Sequence, residues 1–508
     1  MEKLFTTERK KIFLYVFIIG LIVHIPAMVS DIPNHDGLSS MYFDQNMITS
    51  GRWFLTIACG FSSYFTLPWI IGLIGVFFVS LSAVVLLEIL EADMTTAVLS
   101  GGILITFPAL ASTFAYVYTL DGYMMGLFLA VLAVYLTKKY ARGFIPGGLC
   151  LAFSMGIYQS YLPFAIILST YLVILLCIEE EEFKELVGKA LRYAYMGLMG
   201  ILEYYVILRL LLALQGKQLA GYQGIDSLDA AGGLQGNVPD MVRRLYADFA
   251  TFVIRGKILF GNPYSATAFV LLILAFAAIF LKVMNDRGVF KRPFNIISIL
   301  VLALFLPIGT NVILLISPDV NYHLLMRYQY ALYPILIFAF VRKYSEGSHG
   351  LWRYVREGAV FAVAVMLFVN GINDNIGYSN LNKRYEKTYG YCLRLLDRIE
   401  QADGYYPGVP IAIVGVVGYV PYPETDITGS VTQTMTGLSG DQLLYTAANY
   451  QEFMKNYLGA TLNFLTPEEM ADIYYSEEYI AMESFPGKSS VKMIDGVLCV
   501  KTENVGRD

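Results

Sequence analysis

Between Ile12 and Val29 the sequence holds no Lys, Arg, Asp or Glu, and apolar runs of this kind recur along the chain. About 20 apolar residues cross the hydrocarbon of a bilayer. No water is present there to take backbone N–H and C=O groups, so such a run is confined to a helix. Further candidate spans lie at 67–88, 97–117, 122–137, 144–159, 161–178, 191–213, 265–282, 294–316, 325–341 and 357–373, about eleven in all with the first. A cleavable leader would have an apolar core of about 7–15 residues and a small-x-small cleavage site; the first run is longer and lacks such a site, so it reads as a span. Composition agrees. With 56% hydrophobic and 15% charged residues and a mean hydropathy of +0.56, the 508 residues carry too few charges to coat a water-soluble globule.

The net charge of −5 gives no basic surface for nucleic acid. The five cysteines, Cys59, Cys150, Cys177, Cys392 and Cys499, have no metal-ligand spacing and imply neither a zinc site nor a disulfide framework. Orientation follows from Lys and Arg. With the N-terminus cytoplasmic, inner segments hold Lys10, Lys11, Lys138, Lys139, Arg142, Lys184, Lys189, Arg192, Lys282, Arg287, Lys291, Arg292, Arg342, Lys343, Arg353 and Arg356. The opposite loops are longer and carry few, which is the positive-inside pattern and places the C-terminal tail outside. The acidic run Glu179 to Glu182 reads as a solvated inner helix face.

On that topology the unusual polar residues fall outside. The first outer loop holds Asp31, His35, Asp36, Asp44, Arg52 and Trp53, and its half from Met41 to Phe65 reads as short helices lying in the interface. A short turn, Tyr116 to Tyr123, is expected to pin Asp121 at the membrane surface, and another is Tyr158-Gln159-Ser160-Tyr161. His323, Arg327 and Tyr330 follow at i, i+4 and i+7, which predicts one face of a helix near its outer end. An arginine fork there can grip a phosphate; the alternative is an arginine snorkelling to the headgroups. Glu203 and Arg209 do not share a helix face and are expected to find partners on other helices. After a loop from Gly216 to Gly236, Val238-Pro239-Asp240 opens an amphipathic helix with Met241, Leu245, Phe249 and Phe252 on its apolar face. It either borders the entrance for a lipid-borne substrate or serves as a membrane-surface strut.

Long apolar runs stop near residue 375, which divides the chain into a membrane domain, 1–375, and an outer α/β domain, 376–508. In the latter, Leu381, Tyr385, Cys392, Leu395, Leu396 and Ile399 share a helical face, and Val409 to Gly418 reads as a buried strand meeting a glycine turn. Thr466-Pro467 caps a short helix, and Asp495-Gly496 joins a closing hairpin.

No phosphate loop, dinucleotide fingerprint, serine elbow or zinc helix is present. Carboxylates on two outer loops with an Arg/His/Tyr face suit transfer of a group from a phosphate-bearing lipid. The order of Ser50-Gly51-Arg52-Trp53 after an Asp-bearing loop, Phe107-Pro108, Tyr118, Asp121-Gly122-Tyr123, Gly156 to Tyr161 and Met326-Arg327-Tyr328 resembles the bacterial glucosyl transferase II family. Such proteins are similar to GT-C membrane glycosyltransferases. The resemblance implies an α-helical polytopic enzyme that moves glucose or a related hexose from an undecaprenyl-phosphate carrier to a surface or lipid-linked glycan. A first-loop aspartate is then the base. Asp36 is preferred, Asp31 is its rival at the helix end, and Asp121 orients the acceptor. Arg327, His323 and Arg52 are expected on the donor phosphate, and Trp53, Tyr118, Tyr123, Tyr158 and Gln159 on sugar or acceptor, with the interfacial aromatic belt as the other reading of these rings. One base acting on a phosphate-activated anomeric carbon implies inversion. No cofactor is expected, and no ligand set for a divalent metal is defined. A transporter or flippase of lipid-linked saccharides is the competing class; it calls for midplane polar groups and internal repeats, of which only Glu203 is evident.

Overall fold

A computed structural model of the chain describes residues 6–39, 44–60, 65–179, 183–221, 238–254, 263–414, 435, 437–438, 443–444 and 446–502. Glu180 to Glu182, most of the Gly216–Gly236 loop and the expected turn at Gly415–Gly418 lie outside the described residues.

The first span is α1 (Thr7–Met28), which begins where Thr6 Oγ1 accepts from Arg9 N at 3.3 Å. The first loop then carries α2 (His35–Ser39), a 3-10 turn at Ile48–Ser50 and α3 (Leu55–Ala58) before α4 (Pro68–Leu90). The expected straight span at 97–117 is a pair, α5 (Met94–Thr106) and α6 (Pro108–Phe114), bent by 44°. The cause is local. A residue before proline is kept out of the α region, and Phe107 is extended at φ −69°, ψ 131°. Next come α7 (Leu120–Lys139), α8 (Phe144–Ile157), α9 (Leu162–Glu179) and α10 (Phe183–Gln215). The second half holds α11 (Val238–Phe249), α12 (Pro263–Asp286), α13 (Pro293–Thr310), α14 (Ile313–Ile316), α15 (Leu332–Ser345) and α16 (Leu351–Glu400).

Among the described residues nine helices are long and apolar enough to cross a bilayer, and the bent pair makes a tenth. The remaining expected span is α8, whose 14 residues extend about 21 Å at 1.5 Å each, short of a hydrocarbon core of about 30 Å. The helices pack closely where small residues meet them, as expected without a hydrophobic drive between helices in lipid. A Cβ on Gly101 of α5 would come within 2.4 Å of Val16 Cγ2 on α1.

Charged residues sort to the two ends of the bundle. One end joins Arg9 to Glu88 and Lys138 to Glu91, at 2.5 and 2.6 Å. Arg342 pairs with Asp93, and Lys343 lies 3.1 Å from Glu179. Arg192 donates there to Thr137 O and Tyr140 O, capping α7, and Arg292 donates to Ile178 O at 3.0 Å. These are the basic residues grouped on one side by sequence. Arg209 donates to Tyr205 Oη one turn back on its own helix at 2.9 Å.

The boundary expected at 375 falls inside one continuous helix, since α16 runs for 50 residues. Its Tyr378 and Leu381 belong to the membrane core, and Cys392, Leu395, Leu396 and Ile399 to the core of the tail. The tail sheet has the order β2-β1-β4-β3, with β1 (Pro410–Val414), β2 (Asn463–Phe464), β3 (Val491–Ile494) and β4 (Val497–Lys501). β1 is parallel to β2 and β4, and β3 and β4 form the expected hairpin. Helix α17 (Ala447–Leu458) covers this core with Tyr450, Phe453 and Met454. A capping box at Thr466 starts the helix after Leu465, as its sequence predicts.

Replacing Gly101 by Val is expected to overpack the α1–α5 contact and destabilise the bundle by about 1–3 kcal/mol. Thermal unfolding of the purified protein in detergent measures this, and Val16→Ala in the same chain should recover part of the loss.

Candidate active site

The loop from Met47 to Phe54 is a built turn. Gly51 takes φ 76°, a left-handed conformation open to glycine, and ends the 3-10 turn. The carbonyls this leaves are taken by side chains of other helices. Gln159 Nε2 donates to Ser50 O at 3.0 Å, and Tyr204 Oη donates to Gly51 O at 3.1 Å. Phe54 N donates to Gly156 O at 2.8 Å, and the Trp53 ring lies so close to Gly156 that a Cβ there would meet it at 2.5 Å. Trp53 and Gln159, read in the sequence as sugar contacts, thus anchor the turn to α8 and α10. The turn presents Arg52, whose Nη1 donates to Tyr123 Oη at 3.2 Å and whose guanidinium carbon lies 4.8 Å from the Tyr158 ring centroid. Tyr123 and Tyr158 stack at 4.4 Å with 4° between planes.

A second part of the loop brings a carboxylate to the same place. Asn34 is buried, donates to Ala115 O at 2.7 Å and accepts from Gly37 N at 2.8 Å, which fixes the start of α2 against the end of α6. Asp36 stands on α2 with its side chain 52% exposed and an oxygen 3.4 Å from His35 Nε2. Tyr118 lies in the field of Asp36, Tyr116, Tyr123 and Arg52, so it links the carboxylate to the arginine. Asp31 is exposed just beyond α1, yet enough protein stands around its carboxyl to raise its pKa by desolvation.

Asp121 departs from expectation. It is 2% exposed in the first turn of α7, and its Oδ1 accepts from Gly122 N at 2.9 Å. The turn does not leave it at the surface because α3 packs over it: a Cβ on Gly122 would meet Cys59 Sγ at 2.4 Å. The described part of the Met41–Phe65 stretch forms the expected short helices, with Ile48, Leu55 and Cys59 buried in the bundle core and Ile57 and Phe65 exposed.

The Arg327 region is also built differently. Leu324–Ala331 is a 3-10 helix, and Arg327 within it takes φ −112°, ψ 21°, so the α-helical face expected for His323, Arg327 and Tyr330 does not form. His323 is the N-cap residue. The Arg327 fork is filled by Asp248 of α11, with Nη1 to Oδ2 at 2.5 Å and Nη2 to Oδ1 at 2.9 Å, and Nε donates to Tyr322 O at 3.0 Å. Phe252 and Tyr322 cover its two faces, their centroids 3.8 and 3.9 Å from the guanidinium carbon. This segment packs against Gln159–Tyr161, which makes it a neighbour of the Arg52 site. The spacing of Asp248 from Leu245 and Phe252 (i+3, then i+4) is the sequence signal for a carboxylate turned inward. Asn34 and Tyr204 gave no comparable signal. Among the described residues no group of three or more His, Cys, Asp or Glu is arranged to hold a metal ion.

The Arg327 and Asp248 side chains are 9% and 19% exposed, so removing one charge leaves the other buried. Asp248→Ala is expected to cost about 3–5 kcal/mol, and a double replacement by apolar residues, Asp248→Leu with Arg327→Met, to recover most of it; detergent unfolding curves for the three variants check both.

Searches of curated proteins and of solved structures returned no match. A family model, glucosyl transferase GtrII, matches residues 25–342, from inside α1 to the last turn of α15. That stretch contains Asp36, Arg52, Tyr118, Tyr123, Tyr158 and Arg327 and covers more than half of the chain, and the chain therefore belongs to the glucosyl transferase GtrII family.

Proposed function

We propose that this glucosyltransferase acts at the outer face of the bacterial cytoplasmic membrane, with a polyprenyl-phosphate-linked glucose as donor and a surface or lipid-linked glycan as acceptor. The observation that carries this reading is an arginine held by two stacked tyrosines, Arg52 on Tyr123 and Tyr158, at the end of the bundle that also presents the solvent-exposed Asp36 carboxylate. They lie at the end of the bundle opposite the cluster of Arg9, Lys138, Arg192, Arg342 and Lys343. The positive-inside rule assigns that basic end to the cytoplasm.

In this reading Asp36 is the base because it is ionisable and open to solvent, whereas Asp121 is buried and bonded to the backbone of Gly122. As the acceptor oxygen bonds to the anomeric carbon, its proton passes to Asp36. The bond from that carbon to the phosphate oxygen breaks on the opposite side, and the polyprenyl phosphate departs with the electron pair. The configuration inverts. Arg52 faces the growing charge on the leaving phosphate, a role in which a preorganised donor favours the transition state. Tyr123 and Tyr158 hold its guanidinium in place. Arg327 keeps a supporting part, fixing α11 and the Leu324–Ala331 helix beside the site through Asp248, and His323 begins that helix. Asp31 serves as an alternative proton acceptor beside α1.

An apolar groove of about 610 Å³ between α1 and α16, lined by Ile19, Ile22, Val23, Leu367, Phe368 and Ile372, offers a bed for an isoprenoid chain. Asn375 and Ser379 also line it. The proposed chemistry runs without a metal.

Purified protein supplied with a polyprenyl-phosphoryl glucose and a glycan acceptor is expected to release polyprenyl phosphate, in chelator as well as without it. Asp36→Asn should lower that rate by about 10²–10⁴-fold, the usual worth of a general base, with the melting temperature unchanged. An Asp36→Asn enzyme as fast as the parent would sink the assignment, and loss of activity in Asp31→Asn alone would transfer the role.

A further inference from the structure

The loop that carries Asp36 is shared between two hydrophobic cores. Its Leu38 is 1% exposed, and its side chain belongs to the core of the C-terminal domain with Cys392, Leu395, Tyr450, Phe453 and Met454. Helix α17 rests directly on α2. From the other side Asn34 ties the first turn of α2 to Ala115 O at the end of α6. The C-terminal domain reaches that side as well. Gly437 takes φ 79° and packs so tightly that a Cβ would meet Ala115 Cβ at 2.8 Å and Tyr116 Cε2 at 3.0 Å. Its carbonyl accepts from the buried Arg384 of α16 at 2.8 Å, and Met435 and Leu438 on either side of it are buried in the membrane core. A helix of five residues cannot hold its own shape in water, because helix nucleation is unfavourable at that length. Its orientation therefore comes from what it packs against.

We propose that the C-terminal domain is part of the catalytic apparatus, and that Leu38 is a positioning residue through which its core sets the place of the Asp36 carboxylate. This rests on the reading of Asp36 as the base. Asp36 and Leu38 are two residues apart on one short helix, so withdrawing the Leu38 side chain from its socket turns or loosens the segment that aims the carboxylate. The chemistry tolerates little of this: a misplacement of about 1 Å can cost on the order of 10²-fold in rate. The donor is held elsewhere, near Arg52, and its binding is independent of the socket. The signature of a positioning role is accordingly a fall in kcat at constant KM for the donor.

The test compares four variants in the polyprenyl-phosphoryl glucose assay, each at an equal amount of folded protein. Leu38→Ala is expected to lower kcat at least about tenfold with the donor KM within about twofold of the parent, and Leu38→Met, which keeps the volume, to restore kcat. Ile411→Ala removes an equally buried side chain of the same core from β1 and is expected to melt earlier while losing less kcat than Leu38→Ala. If Leu38→Ala gives no folded protein, Leu38→Val is compared with the same control. A kcat for the Leu38 variant no lower than that of Ile411→Ala overturns the positioning role. Asp36→Asn separates the two failures, since full activity in that variant removes the base assignment whatever Leu38 shows.

Discussion

A backbone carbonyl that loses its helical partner inside a bilayer protein has no water to turn to, and the outer end of this bundle is organised around that constraint. Helices break there repeatedly, and each break is closed by a side chain from elsewhere in the chain. Tyr328 Oη donates to Leu104 O at 2.6 Å and His24 Nε2 to Ile105 O at 2.7 Å, one residue apart at the end of α5. Asn34 serves Ala115 O, Gln45 serves Tyr118 O at 3.1 Å, and Gln329 serves Thr310 O at 2.9 Å. An unmade bond of this kind costs about 1–3 kcal/mol. The donors must therefore stay where they are, and the loops that carry them stay too. The result is an end of the bundle made of irregular backbone, on which Arg52 and Asp36 are presented.

The spans were legible in the sequence because an apolar run near the bilayer thickness has only one regular structure open to it. Local signals were legible as well, in the tail as in α11: Thr466 with Pro467, and Asp495-Gly496 with φ values of 47° and 81°. What could not be read were pairings made by single side chains across distant segments. Leu38 stands in a loop rich in polar residues, yet it is buried in one core with residues of α16, α17 and the sheet. Arg327 has helical spacing with His323 and Tyr330, but its bond to Asp248, many residues away, accompanies a departure from α geometry. Asp121 lay in a turn too short to reveal that α3 would cover it. Asp374, between Asn373 and Asn375 just past the apolar run of α16, is fully buried with no hydrogen-bond partner for either carboxyl oxygen among the described residues, although its polar neighbours pointed to solvent.

The expected domain boundary falls within a helix for a related reason. Charges appear after residue 375 because the helix leaves lipid for water, and a helix does not need to end there. It changes the core it serves. Tyr378 bonds His24 of α1 through its hydroxyl at 2.6 Å, while Cys392 and Ile399 enter the tail core further along the same helix. One rod thus sets the distance between the bundle and the outer domain, and Arg384, midway between those contacts, holds Gly437 of the tail against the loop of Asn34.

The same energetics decide which cation serves the donor phosphate. Arg327 has the better geometry for a phosphate fork, but it is already bidentate to Asp248 and sandwiched between two rings. A phosphate taking its place would strand the Asp248 carboxylate beside a second anion in a site poor in water, at a cost of about 3–5 kcal/mol before any gain from the ligand. Arg52 meets neutral groups in Tyr123 Oη and the Tyr158 ring. The cation–π contact also keeps the guanidinium oriented without consuming its hydrogen-bond donors. In the proposed reaction the leaving group therefore lies by Arg52, and the acceptor by Asp36.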